Sequence, residues 1–210
     1  PQLLLHYTGI DYNFIMSWDY YGKEWPEVKP QVPFKQLPMM IVNDKHEICQ
    51  SIAILNFIEN VAGLKLKNPI EEAKASSILQ SAQELFLPLN PTVNFAVGDD
   101  FKKRRDGMMP FLISRFEDLE KILKSNEMKF FIDDTPRACD FAAFHHLDLS
   151  KKLDDSVIKK FPRLEEFLKD INSIDTVKNY LSQRPELIGV SIEPKLVIDG
   201  KAHSTGTTKI

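Results

Sequence analysis

The side chains best placed to do chemistry lie in residues 33–60, PFKQLPMMIVNDKHEICQSIAILNFIEN. Gln50 and Ser51 stand where a helix should begin, just ahead of the apolar-periodic run Ile52, Ile54, Leu55 and Ile58. A Ser in a first helical turn presents its hydroxyl beside backbone N–H groups that lack an acceptor within the helix. The helix dipole adds attraction for an anion. On the other side of the segment, Pro38 precedes a strand-like run, residues 39–42. A cis Leu37–Pro38 bond, an option essentially confined to X–Pro, would turn the Leu37 N–H and C=O toward a peptide laid alongside like an extra strand. These groups together suit a peptide-like ligand with a free α-carboxylate.

Other groupings invite a chemical reading and do not sustain it. His145 and His146 are adjacent, and neighbouring positions on a helix face different directions, so no metal site is expected there. Two cysteines, Cys49 and Cys139, are too few for a disulfide framework. Their strand and helix settings point to buried free thiols in a reducing cytosol, which makes a cytoplasmic location the expectation. The basic clusters at 102–105 and 151–152 read as solvated faces. With 27 basic and 30 acidic residues the net charge is -3, which provides no electrostatic footprint for nucleic acid. No apolar run approaches the roughly 20 residues of a membrane span, and no signal peptide is expected at the start.

The elements that must position the binding residues fall into two halves. Residues 1–62 mix short helical and strand-like segments. Residues 3–8 are helical in pattern and stop at Gly9, residues 12–18 alternate as a strand would, and 24–33 form a Pro-rich loop. Strand-like runs at 39–42 and 46–49 flank the polar turn Asn43-Asp44-Lys45. Residues 63–70 read as a linker carrying the turn pair Asn68-Pro69. From 71 to 190 the pattern is all-helical, with helices predicted at 71–96, 108–125, 139–149, 156–170 and 174–183. Pro88 and Pro91 should end or kink the first of them.

Several stretches, in this order, carry a family resemblance: EWPEVKP (24–30), PFKQLPMM (33–40), QSIAILNFI (50–58), CDFAAF (139–144) and KFPRLEEFLKDINSIDTVKNYLSQRPE (160–186). The chain resembles a cytosolic glutathione S-transferase, nearest the sigma-like group that includes prostaglandin D synthases. The resemblance implies an α/β thioredoxin-like domain followed by an all-α helical domain. By the same resemblance Trp25 and Lys29 reach the glycine carboxylate of glutathione, and Leu37 beside Pro38 holds its cysteinyl backbone. Gln50 and Ser51 take the γ-glutamyl end. It also implies a homodimer in which an acid of the partner subunit completes the site, with Glu84 as the candidate. Glutathione would be a co-substrate, the second substrate a small hydrophobic electrophile, and no metal would be needed. Asp140 matches the family's helix-capping Asp, although Arg137 stands where the accompanying Ser or Thr is usual.

The start of the chain departs from that pattern. Family members open with a strand bearing a catalytic Tyr, whereas PQLLLHYTGIDY already matches the middle of the first helix. That strand is internal in the family's sheet, and its loss would orphan two rows of backbone groups. The tail, residues 191–210, offers a replacement: PKLVID (194–199) resembles the missing strand, and GTTKI (206–210) would lead into residue 1. One expectation is therefore a circularly permuted or renumbered chain; the other is a truncated fragment with a disordered tail.

In the family, the enzyme lowers the thiol pKa of glutathione so that thiolate attacks an electrophile. If KLVID is the first strand, Ile198 occupies the Tyr position, and Ser204 in the following turn becomes the candidate hydroxyl donor. Tyr7 and Tyr12 lie past that turn. A catalytically weak or inactive relative that binds glutathione or is purely structural, the fold being reused as in lens crystallins, is the alternative. A thiol-disulfide enzyme would need a Cys at the active-site turn, where neither Cys49 nor Cys139 lies.

Overall fold

A computed structural model describes residues 1–205. The chain divides into two compact units, Pro1–Lys65 and a second that begins at Leu66. The first mixes helices with a small sheet, and the body of the second is helical, so the fold is the α/β-plus-all-α architecture expected.

In the first unit, α1 (Gln2–Thr8) ends at Gly9, whose φ of 67° gives the left-handed C-terminal turn that glycine adopts without steric cost. The strands β1 (Met39–Val42) and β2 (His46–Cys49) pair antiparallel in register Met39 to Cys49 and Val42 to His46. Asn43 and Asp44, both at positive φ, reverse the chain between them. Helix α4 (Ser51–Val61) follows β2 directly and buries Ile54, Leu55 and Ile58; α1 contributes Leu3, Leu4 and Leu5 to the same core.

Two expectations fail here. Residues 12–18 form no strand: the segment is irregular to Met16 and then turns into α2 (Ser17–Tyr21). An extended segment needs a ladder partner, and among the described residues β1 and β2 pair only with each other. The Pro-rich stretch is more regular than a loop. It holds α3 (Trp25–Val28), with Pro26 in the first turn, where its missing N–H costs nothing, and then short 3₁₀ turns at 29–31 and 33–35.

The second unit contains α5 (Pro69–Glu84), α6 (Phe86–Phe95), α7 (Gly98–Ser125), α8 (Ala138–Ile158), α9 (Pro162–Asn172) and α10 (Asp175–Gln183). Asn68 caps α5 by accepting the Ile70 N–H at 2.9 Å. The expected helix 71–96 breaks after Glu84, the i−4 residue of Pro88, where a proline ring clashes with the preceding turn. Helix α7 starts ten residues earlier than its apolar pattern suggested. Asp99 and Asp100 favour its N-terminus and pair one turn on with Lys102 at 3.0 Å and Arg104 at 2.8 Å. Helix α8 runs past the predicted end, bending at Asp154. Its main packing partner is α5. Phe116, Phe141, Phe144 and Phe167 are fully buried, and Phe131 meets Phe167 with ring centroids 5.1 Å apart.

The tail overturns the expectation of a permuted strand. Strand β4 (Lys195–Ile198) does not join the β1–β2 sheet. It is the centre of a separate antiparallel sheet, between β3 (Glu186–Ile188) and β5 (Lys201–Ser204). The physical reason lies in Asp199-Gly200, which takes positive φ at both positions (47° and 76°) and closes a two-residue hairpin. This sheet is anchored beside the α6–α7 junction. Gly98 donates its N–H to the Ser191 carbonyl at 2.8 Å. The Thr205 hydroxyl lies 2.5 Å from the Asn94 carbonyl oxygen and 2.9 Å from that of Pro194, sharing its proton between them. The reading of 206–210 as the lead-in to α1 falls outside the described residues.

Candidate functional site

The register of β1 and β2 brings together four of the residues singled out from sequence. Met39 faces Cys49, so Pro38 and Gln50 follow at the same open end of the hairpin, with Leu37 and Ser51 one step further on. The Leu37–Pro38 bond is cis. Gln50 sits at the N-cap of α4 with φ 74° and ψ 122°, and its side chain makes no capping hydrogen bond. The α4 first turn also contains no acidic residue. The N–H groups of that turn therefore have neither a carbonyl within the helix nor a side-chain cap to accept them. Gln50 and Leu37 are exposed and Ser51 half-buried, as a ligand-facing edge requires.

Trp25 and Lys29 form a second pair, on another element. Trp25 opens α3 and Lys29 caps it one turn later, its N–H bonded to the Trp25 carbonyl, so the two share a face. Trp25 is half-buried and Lys29 exposed.

Glu84 and Ser204 belong to the second unit. Glu84 is the last residue of α5, with a carboxylate 3.7 Å from the Arg115 guanidinium. Ser204 ends β5, opposite Lys195, and is exposed. Its assignment as donor required a strand feeding α1, and the Asp199-Gly200 hairpin turns that strand back on itself instead. The assignment therefore fails with the strand that carried it. Tyr12 is engaged elsewhere: its hydroxyl lies 3.0 Å from His6 Nε2, and burial pushes the phenol above its ordinary pKa.

Cys49, which no sequence signal ties to the site, lies opposite Met39 at the open end of the hairpin. Burial, and then the charge of Glu47, raise its thiol pKa, so it stays protonated at neutral pH. Among the described residues no group of three or more His, Cys, Asp or Glu is arranged to hold a metal ion. His145 and His146 lie with ring centroids 5.0 Å apart, and His146 is buried near Gln83, with Nε2 3.4 Å from its Oε1. Among the described residues no helix is long and apolar enough to cross a membrane.

A small sheet with flanking helices, followed in sequence by an all-helical unit, is the architecture of the glutathione transferase fold. The comparisons agree. Residues 1–60 match the glutathione S-transferase N-terminal domain, and residues 90–184 match the glutathione S-transferase C-terminal domain. A probable glutathione S-transferase 6 from Caenorhabditis elegans is 28% identical over 184 residues, 86% of this chain and 87% of the relative. The hematopoietic prostaglandin D synthase of Gallus gallus is 26% identical, over 88% of this chain and 89% of its own length. The crystal structure of monomeric Na-GST-3, a glutathione S-transferase from the hookworm Necator americanus, superposes with a TM-score of 0.75 at 26% identity, covering 88% of this chain and 90% of that one. The chain belongs to the cytosolic glutathione S-transferase superfamily.

Proposed function

We propose that this chain is a glutathione transferase that joins the glutathione sulfur to small hydrophobic electrophiles. Leu37, Pro38, Gln50 and Ser51 hold the cysteinyl and γ-glutamyl parts, and Trp25 and Lys29 the glycine carboxylate. One observation carries this reading: the Met39–Cys49 register, which sets the Leu37–Pro38 backbone beside the uncapped first turn of α4. An edge of strand N–H and C=O groups suits a peptide backbone, and a helix N-terminus suits its α-carboxylate. The thiol S–H bond breaks and its proton goes to solvent; the thiolate then forms an S–C bond as the electrophile's leaving group departs with its bonding pair, or as an activated double bond opens and takes up a proton from solvent. The likeness to a prostaglandin D synthase supports a sigma-like variant in which the same thiolate assists an isomerisation. A cytoplasmic homodimer, with Glu84 of one copy completing the site of the other, belongs to the same proposal. The two free thiols suit the reducing compartment.

A second reading, binding without turnover, is favoured by the composition of the first unit's sheet. Neither Met39-Met40-Ile41-Val42 nor His46-Glu47-Ile48-Cys49 carries a hydroxyl to donate to the sulfur. An ultraviolet titration of bound glutathione from about pH 5 to pH 9 separates the two. A free thiol titrates near pH 8.5; thiolate absorbance rising well below that value supports the transferase. Saturable binding with an unshifted thiol supports the second reading, and no binding rejects both.

A further inference from the structure

Helices α6 and α7 are separated by a break whose exposed backbone groups find their partners far along the chain. Had α6 run on into α7, the Gly98 N–H would have bonded to the Asn94 carbonyl, four residues back. Ala96 and Val97 are extended instead, with ψ of 140° and 157°, and Val97 gives α7 no side-chain cap. The tail sheet supplies a partner to each of the two groups thus parted. Gly98 donates its N–H to the Ser191 carbonyl at 2.8 Å, and the Asn94 carbonyl accepts from the Thr205 hydroxyl at 2.5 Å. Val97 and Ser191 also pair as a parallel bridge. Ser191 precedes β4 and Thr205 follows β5, so the sheet grips the break at two separate points.

The sheet is ordered by local pairing rather than by a core of its own. Among the described residues of 186–205 only Pro194 is buried, and Ile188 and Ile192 are exposed, whereas α8 buries Phe141, Phe144 and Leu147. Its shape comes from the Asp199-Gly200 hairpin and from Gly189. That glycine has φ 65°, and an added Cβ there would meet the Glu193 carbonyl oxygen at 2.4 Å. A segment with little buried apolar surface and solvent-facing backbone bonds opens at a lower free energy than the core it rests on.

We infer that residues 186–205 form a detachable clasp, a strap that opens as one unit while the helical core stays folded. Its release frees the turn between α6 and α7, which then pivots at Gly98, already at φ 57°. This device is independent of the glutathione reading. Native-state hydrogen exchange of the full chain, followed by NMR in low urea, tests it. The Gly98 N–H and the amides of β4 should exchange through one opening, with the same free energy and the same urea dependence. Both should lie below those of Phe144 and Leu147 in α8. Thr205→Val keeps the side-chain shape and removes the hydroxyl. It should speed exchange at Gly98 and β4 by one common factor, about three- to tenfold, the scale of one neutral hydrogen bond, and leave Phe144 and Leu147 unchanged. Gly189→Ala, which has no room for its Cβ, should act on the same amides more strongly. Equal acceleration at Phe144 and Leu147 in the Thr205→Val protein would overturn the inference, because the sheet would then open only with the core. Acceleration in β4 with Gly98 unmoved would overturn it too, because the sheet would then hold no part of the α6–α7 turn.

Discussion

Helices α4 and α8 begin with the same physical problem and solve it in opposite ways. Each leaves backbone N–H groups without acceptors at its N-terminus. At α8 the chain supplies the acceptor itself: the buried Asp140 accepts the Arg137 N–H at 2.8 Å and reaches back to the Phe131 N–H at 2.9 Å. Arg137, in place of the Ser or Thr that would complete a reciprocal capping box, turns its guanidinium to Asp133 instead. At α4 the cap residue is Gln50, whose side chain makes no capping bond, and the turn is at the surface. A closed, buried helix start holds a fold together; an open, half-exposed one is available to an anionic ligand. The two starts differ in where the acceptor comes from: inside the chain at α8, outside it at α4.

The comparison breaks most visibly at its buried end. Asp140→Ala leaves two buried N–H groups unpaired, each costing about 1–3 kcal/mol, so urea unfolding should show a loss of about 2–5 kcal/mol. Burial raises the Asp140 carboxyl to about 6, above its ordinary 3.8. Its folded pKa therefore exceeds its unfolded one. The stability it contributes is fully present below pH 3.8 and lost as pH rises through about 6. Asp140→Asn cannot titrate, so the advantage of the parent over this variant should shrink between pH 4 and pH 7. A gap that widened instead would show that the two N–H bonds outweigh desolvation and hold the carboxyl low.

His146 sharpens the contrast by titrating the other way. Burial, and then the charge of His145, lower its pKa from 6.5 to about 3. The stability tied to its neutral form is present above pH 6.5 and lost as pH falls toward 3. His146→Gln should flatten acid unfolding across that window, a smaller effect than the loss of Asp140, and differential scanning calorimetry at several pH values would read it.

The parts legible in the sequence were those governed by local pattern. The apolar period of α4, the glycine ending α1 and the break caused by Pro88 each rest on a few neighbouring residues. The hairpin of β1 and β2 was legible too, because Asn43-Asp44-Lys45 separates two apolar runs. The tail carries a local signal as well: Asp199-Gly200 between 195–198 and 201–204 is a strong two-residue hairpin signature. That turn chemistry outweighs the likeness of PKLVID to a family strand. The failure at 12–18 is of another kind, since alternation specifies a face and the ladder partner that makes a strand is not local. Types and spacing singled out Leu37, Pro38, Gln50 and Ser51, which the β1–β2 register brings to one end of the hairpin. The closure of Asp140 on Phe131 spans nine residues of irregular chain and has no sequence period to betray it.

The open helix start gives the smallest effects on stability and the most specific ones on binding. Ser51→Ala removes a half-buried hydroxyl from a turn whose backbone remains intact, so unfolding free energy should change by less than about 0.5 kcal/mol. Glutathione affinity, by calorimetry, should fall by about 1–3 kcal/mol, the range for a hydrogen bond to a charged group. Gln50→Gly tests the same point from the backbone. Gln50 has φ 74°, a region glycine enters without a Cβ penalty, so this variant should fold at least as well as the parent while binding glutathione more weakly. If both variants keep full affinity, the α4 N-terminus is a helix start like that of α8, merely satisfied by water, and the ligand lies elsewhere. If both lose affinity with stability intact, the contrast between the two helix starts is functional.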